Sequence, residues 1–168
     1  MRLLTKRKIP PDQLLTNALN LQFRNLCPCF DSHQLSMIVS GLLKLQFKVH
    51  DASFLRIFER ILNISETFSA NEITSIVCAA ARMKCKHNIT GPISALFSQA
   101  LVSLDTFSPQ GLAHCFWAVA KIGYPIRPES LASIRIHVAK SSNAYKPQDI
   151  SMLLWAVAKL NKDADPAL

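Results

Sequence analysis

The chain has 168 residues, 49% of them hydrophobic, with 19 Lys and Arg against 11 Asp and Glu and a net charge of +8. That apolar content is ample for a buried core, yet no stretch approaches the roughly 18 uninterrupted apolar residues a membrane span needs, so a folded chain without a membrane span is expected. The basic excess favours an anionic partner, nucleic acid or an acidic surface.

In chain order, residues 1–10 form a basic segment. MRLLTKRKIPP carries Arg2, Lys6, Arg7 and Lys8 and no acid, as the remnant of an organellar targeting segment or an ordinary basic terminus would. Residues 11–29 read as a lone second helix of a repeat. Four aligned segments then begin at Phe30, Phe68, Phe107 and Tyr145, at a period of 38 or 39 residues. They divide the chain into repeats over 30–67, 68–106 and 107–144 and a partial repeat over 145–168.

Only four glycines are present, and apolar residues recur at three- and four-residue spacing, so the elements are helices. Each repeat starts as a helix entrance. In the third, Ser108 is the cap, Pro109 takes the first helical position and Phe107 staples onto Leu112. Phe30/Leu35, Phe68/Ile73 and Tyr145/Ile150 repeat the staple. Asp31 caps the first unit, Ser69 and Glu72 form a capping box in the second, and Lys146 is a poor cap in the fourth.

The first helix of each unit should bury rows such as Leu112, Cys115, Phe116, Val119 and Ile122, matched by Ile150, Leu153, Leu154, Val157 and Leu160. Gly41, Ala79, Ala118 and Ala156 share a small-residue column where neighbouring helices approach. After a turn marked by Gly91-Pro92 or by Gly123-Tyr124-Pro125, a second helix carries Phe54, Phe58, Ile61 and Leu62, or Ile93, Leu96, Phe97, Ala100, Leu101 and Leu104. The expected fold is all-α: an α-solenoid of about 38-residue helix-turn-helix repeats, together one domain, with open ends that further chain or neighbouring proteins cover.

Positions three, seven, ten and fourteen after each leading aromatic lie on one stripe of the first helix. They are His33, Met37, Ser40 and Lys44; Asn71, Ser75, Cys78 and Arg82; Gln110, His114, Trp117 and Lys121; and Gln148, Met152, Trp155 and Lys159. One cation per repeat beside amides, imidazoles and indoles suits single-stranded RNA, with Lys or Arg on phosphates, polar groups on base edges and aromatics on base faces. A cation near a helix C-terminus also complements the helix dipole, so the column has a purely structural reading as well. Packing against the adjacent repeat is the competing role for Trp117 and Trp155. Arg56, Arg60, Arg127, Arg135 and Lys140 on or beside the second helices read as solvated, with contact to duplex phosphates in a large ribonucleoprotein as the alternative.

Cys27, Cys29, Cys78, Cys85 and Cys115 are an odd set without a disulfide pattern, which points to a reducing compartment. Cys27-Pro-Cys29 lacks a second ligand pair, and the cysteines read as buried thiols. No phosphate loop, paired-carboxylate site or metal cluster is recognisable. Neither a cofactor nor catalysis is expected.

The segments FSPQGLAHCFWAVAKIGY and YKPQDISMLLWAVAKLNK resemble the octotricopeptide or heptatricopeptide repeats of organellar proteins, and the helical region of RAP-domain and FAST-kinase-domain-like proteins. The resemblance spans residues 30–168 and is sharpest in the last two units. It implies RNA binding in mitochondria, or alternatively plastids, in transcript stability, processing, translation or ribosome assembly. A short array reads few bases, so a fixed place in a mitochondrial ribosome on ribosomal RNA fits best, with a protein-interaction scaffold as the alternative.

Overall fold

The computed structural model describes residues 13–45, 51–83 and 88–164, and the basic segment 1–10 and Cys85 lie outside them. Among the described residues the chain is all-α. Eight helices follow one another: α1 (Gln13–Leu26), α2 (Ser32–Leu45), α3 (Asp51–Asn63), α4 (Ala70–Arg82), α5 (Thr90–Val102), α6 (Pro109–Ile122), α7 (Pro128–Lys140) and α8 (Pro147–Ala164). None is long and apolar enough to cross a membrane.

The helices pack in two rows. One row sets α2 against α4, α4 against α6 and α6 against α8; the other sets α1 against α3, α3 against α5 and α5 against α7. The core lies between the rows, on residues such as Leu35, Ile57, Ile73, Leu96, Phe116 and Val119.

A feature absent from the sequence reading recurs at the same period. Short 310 turns at Cys27–Cys29, Ser65–Thr67, Leu104–Thr106 and Ser142–Ala144 each deliver the leading aromatic in extended backbone, with φ between −70° and −84° and ψ between 131° and 136°. The Nε–H of Arg60 donates to the Phe30 carbonyl at 3.1 Å, so this arginine fastens the first turn instead of standing in solvent.

The entrances of α2, α4, α6 and α8 each carry a side-chain cap contact, drawn from two repeat positions. Asp31 and Gln34 cap reciprocally, with Gln34 N–H donating to Asp31 Oδ1 at 2.8 Å and Asp31 N–H donating to Gln34 Oε1 at 3.1 Å. Glu72 Oε2 accepts from the Ser69 N–H at 2.9 Å, and Ser108 Oγ accepts from the Gly111 N–H at 3.0 Å. In the fourth unit the buried Asp149 accepts from the Lys146 N–H at 3.1 Å, which is the return half of a capping box.

Several expectations need correction. Gly91 and Pro92 lie in the first turn of α5, where proline's missing N–H is no loss, and not in the turn before it. Helix α8, expected from the repeat length to stop near Asn161, continues to Ala164, since neither Gly nor Pro intervenes. Leu62 is exposed, and Ile57 takes the buried position in its helix. Ile150 and Leu154, assigned to a buried row, are 46% and 67% exposed, because the face of α8 that carries them is not the face packed on α6. A Cβ at Gly41 would meet nothing within 4 Å, so close packing does not require glycine there, whereas Ala79, Ala118 and Ala156 are buried.

Candidate nucleic-acid interface

All sixteen stripe residues fall on α2, α4, α6 and α8, the helices of one row. Between α2 and α4 they line an open groove of about 720 Å³, which takes in His33, Ser40, Lys44, Asn71, Ser75 and Arg82 and reaches His114 on α6. Successive helices are tied across this surface by polar contacts. The Ser40 and Ser75 hydroxyls lie 3.2 Å apart, the Thr74 hydroxyl shares its proton between the Ala70 carbonyl at 2.8 Å and the Gly111 carbonyl at 3.3 Å, and the Cys78 thiol donates to the His114 carbonyl at 3.5 Å.

The cationic column is largely solvent-facing. Lys44, Arg82 and Lys121 are exposed, and Lys159 is half-buried. Two of these cations converge on one indole: Arg82 Cζ lies 5.8 Å and Lys121 Nζ 4.7 Å from the centroid of the Trp117 ring. The ring's negative face stabilises each cation, and their closeness concentrates positive potential where α4 meets α6.

Trp155 extends the cluster onto α8. Its ring lies 6.2 Å from that of Trp117, tilted by 44°, and the residue stays 44% exposed. The half-buried Trp117 therefore packs between repeats, while Trp155 both packs and keeps an accessible surface. Gln110 and Gln148 are exposed in the first turns of α6 and α8 and do not line the groove.

Glu72 and Thr74 are among the groove residues that the sequence reading of this face left out. Glu72 accepts the cap bond of α4 and places Oε1 3.5 Å from His33 Nδ1, so an acid stands at the end of the groove opposite Lys44 and Arg82. The recurrence of Gln34, Glu72 and Asp149 one turn into three of the four helices was the available signal. Thr74 has no such periodic signal, since its counterpart on α6 is Ala113.

The cysteines near this surface are held as thiols. Burial pushes Cys78 up against the opposing pull of Arg82, and burial together with the nearby Cys78 takes Cys115 up to about 12. Cys27 is also raised by burial, opposed by Arg60 and Arg56, and its thiol donates to the Arg56 carbonyl at 3.1 Å. The face thus offers cations, neutral polar groups, thiols and indoles, a set suited to holding an anionic polymer with exposed bases. No protein-family model matches the chain, and neither does any curated protein.

Proposed function

We propose that this chain is a non-catalytic, RNA-binding α-solenoid of about 38-residue repeats, acting in an organellar ribonucleoprotein and most specifically on ribosomal RNA in a mitochondrial ribosome. What carries the RNA reading is the meeting of Arg82 and Lys121 on Trp117, near the accessible ring of Trp155, with Arg82 also lining the α2–α4 groove that presents Lys44. Phosphates would lie along the cations and a base against Trp155, a pairing of charge and stacking common in single-strand binders.

The two-row packing and the periodic turns support the solenoid arrangement. The organellar and ribosomal part of the reading rests on the resemblance of the last two units to organellar helical repeats, and on a short array that gains from neighbouring subunits. Plastid location and a role in transcript maturation are the variants of the same reading. The other reading is a protein scaffold, which the exposed Ile150 and Leu154 favour.

Titration of a short, labelled single-stranded RNA across salt concentrations separates the two. An RNA binder loses affinity with a log–log salt slope of about −0.7 per contacted phosphate, and the slope shrinks as contacts are removed. Replacing Lys44, Arg82 and Lys121 together by Gln should weaken binding and flatten the slope in parallel. Unchanged binding and slope in that variant would sink the groove reading. Crosslinking the endogenous protein, followed by sequencing of the attached RNA, then distinguishes ribosomal RNA from transcripts.

A further inference from the structure

The four units share a stripe but differ in what fills it. Ten residues after the leading aromatic, the first two units carry Ser40 and Cys78, and the last two carry Trp117 and Trp155. On α6 and α8 the indoles meet at 6.2 Å across the surface between those helices. Between α2 and α4 the smaller side chains leave the open groove of about 720 Å³, a size within the range of small-molecule sites. A Cβ at Gly41, in the wall of this groove, would meet nothing within 4 Å. The first two units therefore have room for a planar ring where the last two supply rings of their own.

The ends of the groove differ in charge. Lys44 and Arg82 stand exposed at one end, and Glu72 with His33 at the other. Ten residues of α4 separate Glu72 from Arg82, about 15 Å at the rise of an α-helix. That exceeds the screening length of about 8 Å at physiological salt. The acid thus leaves the pull of the cations on phosphate intact and repels phosphate from its own end. A strand whose backbone follows Lys44 and Arg82 meets the far end with an uncharged group, a base.

The atoms at that end select among bases. Glu72 Oε2 is committed to the α4 cap, accepting from the Ser69 N–H at 2.9 Å and the Ser69 hydroxyl at 2.8 Å. Oε1 lies 3.5 Å from His33 Nδ1, long for a hydrogen bond, and keeps lone pairs for a donor. The Asn71 amide, which lines the same groove, can donate. A fixed acceptor and an available donor match the edge of cytosine or adenine, where an exocyclic amino group stands beside an unprotonated ring nitrogen. Uracil would set a carbonyl oxygen against the carboxylate.

We propose that the α2–α4 groove takes a single-stranded base bearing an exocyclic amino group, cytosine or adenine, and rejects uracil through Glu72. The inference rests on the RNA reading above and adds a base preference to it.

The decisive variant has a precedent on α2, where the corresponding cap residue is Gln34 and its Oε1 accepts from the Asp31 N–H. Glu72→Gln can cap α4 in the same way, and its amide N–H2 then replaces Oε1 in the groove, an acceptor exchanged for a donor. Fluorescence anisotropy of the full chain with labelled oligo(C), oligo(A) and oligo(U) of equal length is read at pH 8, where imidazoles are generally neutral. Oligo(C), oligo(A) or both should bind about tenfold tighter than oligo(U), and which of them does so identifies the base. Glu72→Gln should make oligo(U) the equal or tighter ligand. Ser40→Trp, which sets an indole where α6 and α8 have theirs, should erase the preference by filling the groove, and it keeps the test decisive if Glu72→Gln fails to fold. Circular dichroism melts check both variants. Equal binding of the three RNAs, tighter oligo(U), or a preference that survives in either folded variant overturns this proposal and leaves the RNA reading standing. Absence of binding by all three RNAs overturns both.

Discussion

Helices α6 and α8 contain the same string, Trp-Ala-Val-Ala-Lys, at the same repeat position, and both follow an aromatic, a capping turn and a proline. Their small-residue contacts are also alike, with Ala118 and Ala156 both fully buried. Yet Phe116 is 1% exposed and its counterpart Leu154 is 67% exposed. Helix α6 is flanked by α4 and α8 in its row, whereas the principal neighbour of α8 is α6. Local sequence makes each helix amphipathic, and the presence of a neighbour decides whether the apolar face is buried.

The widest separation between the two helices should appear in paired truncations. Phe116→Ala empties a packed site and should cost about 3–5 kcal/mol, while Leu154→Ala should stay within about 0.5 kcal/mol. Urea denaturation of the two variants measures both. A large cost at Leu154 would show that something covers α8 in the free protein and would remove the contrast.

That contrast also marks how far the sequence could be read. The period of the leading aromatics located every first helix, and the three- and four-residue spacing gave the helical class, because both reflect forces acting within one repeat. Burial of Ile150 and Leu154 was misassigned because it depends on the next element in space, which the repeat pattern presumes. The 310 turns were missed since Cys27-Pro-Cys29, Ser65–Thr67 and Ser142–Ala144 share a backbone path and no residue pattern. For the candidate site, the helical stripe located the groove residues, but the convergence of Arg82 and Lys121 on Trp117 arises between adjacent helices and has no signature within either one.

A second difference between the helices is chemical and depends on pH. Cys115 on α6 corresponds to Leu153 on α8, and burial takes its thiol from an ordinary 9.0 to about 12. The folded-state value is the higher one, so the stabilisation is complete below pH 9 and is lost as pH rises towards 12. Urea midpoints should therefore fall from pH 8 to pH 11, and Cys115→Ala should flatten that fall while lowering stability at neutral pH. Thiol labelling gives an independent check: the exposed Cys29 should react in the native protein, and Cys115 only on unfolding. An alkaline decline unchanged in Cys115→Ala would assign it to other groups.

The entrances of the two helices offer a smaller contrast. In α6 the Ser108 hydroxyl accepts from Gly111, and in α8 the side chain one turn in, Asp149, accepts from Lys146. Ser108→Ala should cost about 1 kcal/mol, as exposed caps do. Asp149→Ala should cost about 1–2 kcal/mol, because the carboxylate is buried and its removal leaves the Lys146 N–H without its partner. Equal losses in thermal or urea unfolding would mean that burial adds nothing to the α8 cap.

The smallest expected effect is a gain. Gly41 on α2 stands in the column where α6 and α8 have Ala118 and Ala156, and a Cβ there would meet nothing within 4 Å. Its backbone is helical, so glycine supplies no special conformation and only adds freedom to the unfolded chain. Gly41→Ala should therefore stabilise the protein by about 0.5–1 kcal/mol and leave the groove intact. Gly111 is the counterexample, since its Cβ would come within 3.0 Å of the Ser108 hydroxyl that caps α6. Gly111→Ala should disturb that cap and lose part of what Gly41→Ala gains, and the difference between the two, read from urea midpoints, would separate a glycine with a packing role from one without.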